Sequence, residues 1–179
     1  MFKRVTASLT FLVLLAIGIS YGIKEPETEN KSDAAAIPVS LDQGPEVGSK
    51  APDFELPTLD GQMIRLSDLK GKKIMVNFWT TWCPPCKAEM PDMQKFYTEE
   101  GNQIKILAVN IDTDYDVAGF VKEMKINFPI LLDNDEKVMK QYRILTIPTT
   151  FFIDESGTIQ NKFIGAMSID KMRELTQEL

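Results

Sequence analysis

The sequence predicts an α/β layered domain, and three observations carry that expectation. Residues Ile74-Met75-Val76-Asn77-Phe78-Trp79 form a nearly continuous apolar run, the pattern of a strand covered on both faces. Helix-like and strand-like segments then alternate between residues 83 and 142. A hairpin signal follows, with strands Thr149–Ile153 and Ile159–Ile164 around the turn residues Asp154 to Gly157, and an amphipathic helix closes the chain.

The chain opens on a different pattern. Lys3 and Arg4 precede Val5–Ile23, which carries neither charge nor proline. As a helix this stretch would reach ~28 Å, close to the thickness of a hydrocarbon core. Basic residues before it and acidic residues after it predict the N-terminus inside and the remainder outside. Residues 1–23 therefore read as a membrane anchor. A cleaved signal segment is the alternative, disfavoured because the apolar stretch is long and no small-x-small site directly follows it. Ala34-Ala35-Ala36 is a late candidate site, and no cysteine follows the segment to be lipid-modified. In residues 24–47, Glu25, Glu27, Glu29, Asp33, Asp42 and Glu46 face only Lys24 and Lys31, with few large apolar side chains. Such a segment buries too little surface to offset its ordering entropy, so it reads as a flexible acidic linker.

The folded domain is expected over residues 48–179. Phe54, Leu56 and Leu59 lead into the turn dipeptide Asp60-Gly61, and Met63, Ile64 and Leu66 follow, which predicts an N-terminal hairpin. Ser67 to Gly71 reads as a turn or a single helical turn. A helix is expected from Cys83 to about Glu100, because Pro84 and Pro85 suit a first turn whose N–H groups have no helical partner. Pro91 should kink it. Ile104 to Ile111 reads as a strand, Asp114 to Met124 as a helix, Pro129 to Leu132 as a short strand and Glu136 to Tyr142 as a short helix. In the last helix, Ser168 to Leu179, residues Ile169, Met172, Leu175 and Leu179 share one face.

Composition narrows the chemistry. Apolar residues make up 44% of the 179 residues, enough for one core. The net charge of −6 disfavours a nucleic-acid partner, which needs clustered Lys and Arg. The absence of histidine removes the commonest general base and metal ligand. The two cysteines, Cys83 and Cys86, lie three positions apart. So short a loop gains little from a structural bridge, and the pair is better explained by redox chemistry. Zinc needs four ligands and attached haem needs a histidine after the second cysteine, where Lys87 stands.

A buried strand thus delivers the chain to a loop that opens a helix at Cys83. A helix N-terminus favours thiolate, so Cys83, which can be exposed there, should attack a substrate disulfide, and Cys86, one turn further in, should resolve it. Pro84 and Pro85 bring no N–H to the Cys83 sulfur. Fewer donors leave the thiolate less stabilised, which predicts a reducing couple.

Trp82-Cys83-Pro84-Pro85-Cys86-Lys87 after an apolar strand resembles the thioredoxin superfamily. Gly48 to Phe54, Leu66 to Lys72, Asn77-Phe78-Trp79 and Lys87-Ala88-Glu89-Met90-Pro91 resemble its membrane-anchored ResA/TlpA-type branch, over essentially all of residues 48–179. The resemblance implies a thioredoxin-like fold: a central mixed β-sheet with helices on both faces, plus the N-terminal hairpin. It implies a cis-proline at Pro148, with the Ile147 backbone pairing with the substrate chain, and Trp82, Pro84 and Pro85 in the substrate surface. It also implies that Glu89, three residues after Cys86 on one helix face, tunes the cysteines; the alternative is a solvated glutamate pairing with Lys87. Asn77 stands where cytoplasmic thioredoxins carry an aspartate, and Trp79 reads as core packing.

The function so implied is extracytoplasmic disulfide reduction in protein clients, among them apocytochrome c during cytochrome c maturation, with a membrane dithiol donor as electron source. General or sporulation-linked envelope thiol reduction is the close alternative. A monomer is expected, with no metal, nucleotide or flavin. The alternative from another class is a thiol-dependent chaperone or a tethered binding module that merely inherits the fold; two intact cysteines and Pro148 argue against an inactive scaffold. A peroxiredoxin shares residues like Ala51-Pro52-Asp53-Phe54, but has proline seven residues before its peroxidatic cysteine. This chain has Val76 there, although Thr80 matches.

Overall fold

The computed structural model describes residues 44–112 and 114–179. The apolar segment 1–23 and most of the acidic segment lie outside the described residues, among which no helix is long and apolar enough to cross a membrane.

Strands β1 (Glu55–Pro57) and β2 (Met63–Arg65) pair antiparallel as the expected hairpin, and a 3-10 turn over Leu66–Leu69 follows. Then come β3 (Lys73–Trp79), helix α1 (Pro84–Glu100), β4 (Ile104–Asn110), α2 (Val117–Glu123), β5 (Ile130–Leu132), α3 (Lys137–Gln141), β6 (Thr149–Ile153), β7 (Ile159–Ile164) and α4 (Ile169–Gln177). The main sheet has the order β5-β4-β3-β6-β7. The β3–β4 and β4–β5 pairs are parallel, while β3–β6 and β6–β7 are antiparallel, so the sheet is mixed. The hairpin is tied to the β5 edge by a bridge from Thr58 to Leu131 and by the Leu59 N–H donating to the Ile130 carbonyl at 3.1 Å.

Alternation along β3 divides the core. Met75 and Trp79 point to one face, where they pack with Met90, Met93 and Phe96 of α1, Val117 of α2, and Met172 and Leu175 of α4. Ile74, Val76 and Phe78 point to the other, packing with Phe54, Leu56 and Leu66 before β3, Val138 of α3, and Tyr142. Helices therefore cover both faces. Burying each of Met90, Met93 and Phe96, all at 0% exposure, stabilises α1 against the sheet by about 1.5–3 kcal/mol. Pro91 lies inside α1 and supplies no N–H to the Lys87 carbonyl.

Most element boundaries lie within one or two residues of the sequence reading, and one helix start moves further. The helix expected from Asp114 begins only at Val117, because the Asp116 side chain caps it, accepting the Gly119 N–H at 2.8 Å. At the N-terminal side, residues 44–47 are among the described residues, and the Glu46 carbonyl accepts the Ser49 N–H at 3.1 Å. Gly48 N–H donates to the Ile159 carbonyl at 2.8 Å, and the Tyr142 hydroxyl donates to the Pro52 carbonyl at 2.7 Å. Gly44 holds φ +77°, and a Cβ there would lie 2.8 Å from the Tyr142 carbonyl oxygen. Gly44→Ala is accordingly expected to destabilise the domain by about 1–3 kcal/mol, measured by urea unfolding. An unchanged midpoint and slope would show that this segment does not bear on the fold.

Candidate active site

The site lies where β3 ends at Trp79, at the carboxyl end of the parallel strands, the usual location for sites in open α/β sheets. Three residues, Thr80 to Trp82, carry the chain from Trp79 to Cys83, the N-cap of α1. The Cys83 Sγ accepts the Cys86 N–H at 3.3 Å. Pro84 and Pro85, exposed at the first two helical positions, carry no N–H, so Cys86 supplies the first amide that α1 can offer this sulfur.

Cys83 and Cys86 form a disulfide with a Cα–Cα distance of 5.2 Å. The accessibility of Cys83 is lower than the sequence suggests. It is 3% exposed, against 0% for Cys86, because the turn before β6 covers it. In that turn the Ile147–Pro148 peptide is cis, and the Ile147 carbonyl oxygen lies 3.8 Å from the Cys83 Sγ. Ile147 is half-buried and Pro148 buried, while Trp82 is 54% exposed beside the disulfide. Trp79 by contrast is wholly buried, its ring 5.4 Å from that of Phe120.

Glu89 is 1% exposed, and both of its carboxylate oxygens accept hydrogen bonds. Oε1 takes the Asn77 Nδ2–H at 2.9 Å, and Oε2 takes the Met167 N–H at 3.2 Å. Burial pushes its pKa up to about 7, against the opposing pull of these two bonds. Lys87 is not its partner; that ammonium lies 5.9 Å over the Phe120 ring. Asn77 also donates to the Thr150 Oγ1 at 2.9 Å, which ties Glu89 to β3 and β6 together. With i,i+3 spacing on α1, the Glu89 and Cys86 side chains share one helix face.

Three contributors escaped the sequence reading: Thr150, the Met167 amide and Asp112. Asp112 stands just beyond β4 and accepts the Thr81 N–H at 2.7 Å. A buried polar residue directly after an apolar strand was the available signal for Asp112. Met167 contributes only its backbone, which a side-chain pattern does not reveal.

Cys83 keeps a sliver of exposure and Cys86 none, so an incoming thiol can open this disulfide only from the Cys83 side. One turn further along α1, on the face of Cys86, stands a carboxylate whose pKa burial raises to about 7. Disulfide exchange on a sheet of this topology makes the protein a thiol–disulfide oxidoreductase with a thioredoxin-like fold. The chain belongs to the AhpC/TSA family, whose model matches residues 47–162. It is similar to the thiol-disulfide oxidoreductase ResA of Geobacillus kaustophilus, at 42% identity over 93% of this chain and 90% of the relative. It is also similar to the sporulation thiol-disulfide oxidoreductase A of Bacillus subtilis, at 39% identity over 70% of this chain and 78% of that protein. The crystal structure of StoA from Bacillus subtilis superimposes with a TM-score of 0.64 and 38% identity, over 72% of this chain and 98% of that one.

Proposed function

We propose that this protein reduces disulfides in protein clients on the outer side of a bacterial membrane, with apocytochrome c as the leading client class. The observation that carries the reading is the placement of the Cys83 sulfur, 3.8 Å from the Ile147 carbonyl at the rim of a cis-proline turn. A client strand pairing with the Ile147 backbone, over Trp82, Pro84, Pro85 and Pro148, brings its own disulfide to that sulfur.

In the reduced enzyme the Cys83 thiolate attacks one client sulfur. The client S–S bond breaks, and its second sulfur leaves as a thiolate that takes up a proton from solvent. Cys86 then gives its thiol proton to the Glu89 carboxylate and attacks the Cys83 Sγ. The Cys83–client bond breaks, the client leaves reduced, and the Cys83–Cys86 disulfide forms. A membrane dithiol donor returns two electrons to that disulfide. The cycle as written uses no metal, nucleotide or flavin, and one monomer suffices for it.

The prolines after Cys83 support a reducing couple, since Cys86 alone among residues 84–86 offers an amide to the sulfur. The reduction potential is expected to lie well below the roughly −120 mV of strong periplasmic oxidants; a value that high would contradict the reducing assignment. The extracytoplasmic placement is supported by residues 5–23 and by a likeness to ResA that extends over 93% of this chain, beyond the folded domain alone.

The similarity to a protein named for sporulation favours a second reading, in which the clients are other envelope thiol proteins. Cys86→Ser in cells distinguishes the two, because it stalls the mixed disulfide on Cys83. A trapped adduct with apocytochrome c is the expected result. Adducts confined to other envelope proteins would replace that client with the second reading.

A further inference from the structure

β3 and β4 run parallel in register up to Trp79 and Asn110, and the last rung has the Ile111 N–H donating to the Trp79 carbonyl at 3.1 Å. A continued parallel ladder would send the Thr81 N–H to the Ile111 carbonyl. It goes instead to the Asp112 Oδ2, at 2.7 Å. The side chain takes over where the backbone ladder stops, and the chain turns out of the sheet toward Cys83. Asp112 is itself clamped. Its Oδ2 also accepts the Asn110 Nδ2–H at 3.0 Å, and its own N–H donates to the Asn110 Oδ1 at 3.1 Å. Asp112 is 4% exposed and Thr81 8% exposed, so water is a poor substitute for either partner. The second carboxylate oxygen, Oδ1, is buried without a hydrogen-bond partner among the described residues.

We propose that Asp112 is a positioning residue for the nucleophile. By accepting the Thr81 N–H it fixes the turn between Trp79 and Cys83, and so holds the Cys83 sulfur against the Cys86 amide and the Ile147 carbonyl. Only Trp82 separates Thr81 from Cys83, a span of at most about 7 Å, so slack at Thr81 passes directly to the sulfur. An acceptor at the Oδ2 position is what the geometry demands; nothing among the described residues donates to Oδ1, so an amide nitrogen there displaces none of their hydrogen bonds.

The proposal rests on Cys83 being the attacking thiol, but its test needs no protein client, so failure of the client assignment and failure of this role are separable. The reduced, full-length variants Asp112→Ala and Asp112→Asn are reacted with 5,5′-dithiobis(2-nitrobenzoate) and, across pH, with iodoacetamide read at Cys83. Asp112→Ala is expected to slow attack roughly tenfold, as misplacement of a reacting group does, and to raise the midpoint of the Cys83 pH profile, because the displaced thiolate loses the Cys86 N–H. Asp112→Asn is expected to recover to within about twofold of wild type, because its amide oxygen accepts the same N–H. Should Asp112→Ala fail to fold, Asn110→Ala keeps the carboxylate but releases its clamp, and is expected to slow attack by roughly threefold. A folded Asp112→Ala or Asn110→Ala with wild-type rate and pH profile overturns the proposal. So does an Asp112→Asn as slow as Asp112→Ala, which would make the charge and not the accepted bond the operative feature.

Discussion

Replacement of Cys83 by serine is expected to remove disulfide reduction altogether, by at least about a thousandfold, because a hydroxyl at neutral pH cannot replace a thiolate in exchange. The fold should survive, since the side chain is close in size and its N-cap role suits serine. Cys86→Ser should behave differently. It leaves the first attack intact and blocks the second, so client accumulates as a covalent adduct and turnover stops. Insulin reduction with a small dithiol as electron source reads both variants. Equal activity of Cys83→Ser and wild type would move the protein from catalysis to the chaperone or binding class.

The second large effect is expected at Glu89, and it has two parts with different pH dependence. Its folded-state pKa is raised from 4.5 to about 7, chiefly by burial. A carboxyl raised in this way contributes stability that is complete below pH 4.5, falls as pH climbs from 4.5 to about 7, and is then level. The fall amounts to about 3 kcal/mol, and Glu89→Gln abolishes it. Against this, Gln must turn an amide donor toward either the Met167 N–H or the Asn77 Nδ2, at a cost of about 1–3 kcal/mol that does not vary with pH. The expected signature is therefore a stability difference between variant and wild type that shifts in favour of Gln as pH rises from 4 to about 8. Parallel curves would mean that Glu89 titrates as an ordinary exposed carboxyl. In catalysis, Gln cannot take the Cys86 proton, so resolution of the mixed disulfide should slow by roughly a hundredfold and lose its dependence on a group near pH 7. Unchanged titration of both thiols in Glu89→Gln would remove Glu89 from the mechanism.

The fold was legible wherever periodicity and turn chemistry agreed. The strands Thr149–Ile153 and Ile159–Ile164 are bounded by the Asp154–Gly157 turn and appear at their expected limits. The apolar run through Trp79 is the central strand, and the prolines after Cys83 mark the start of α1. The start of α2 was misplaced because Asp116 reads equally well inside a helix or as its cap, and only the bond to the Gly119 amide decides.

The site was legible in its chemistry and not in its depth. Spacing places Glu89 on the face of Cys86, but its burial depends on Met167, brought across from a loop after β7. For the same reason Cys83 could be assigned as the outer sulfur while its exposure was overestimated: the Ile147 carbonyl that covers it arrives from a turn after α3. Asp112 was passed over because its partner is a backbone amide, and amides look alike in every sequence. Cross-chain coverage and backbone partners are what local pattern leaves unspecified.

The most direct test is competitive alkylation of the fully reduced protein with limiting iodoacetamide, with the labelled cysteine identified by mass spectrometry. Label is predicted on Cys83 first, at a rate that follows thiolate formation, with Cys86 protected until the domain is unfolded. Preferential labelling of Cys86, or no labelling of either sulfur in the folded protein, would contradict the assignment of Cys83 as nucleophile.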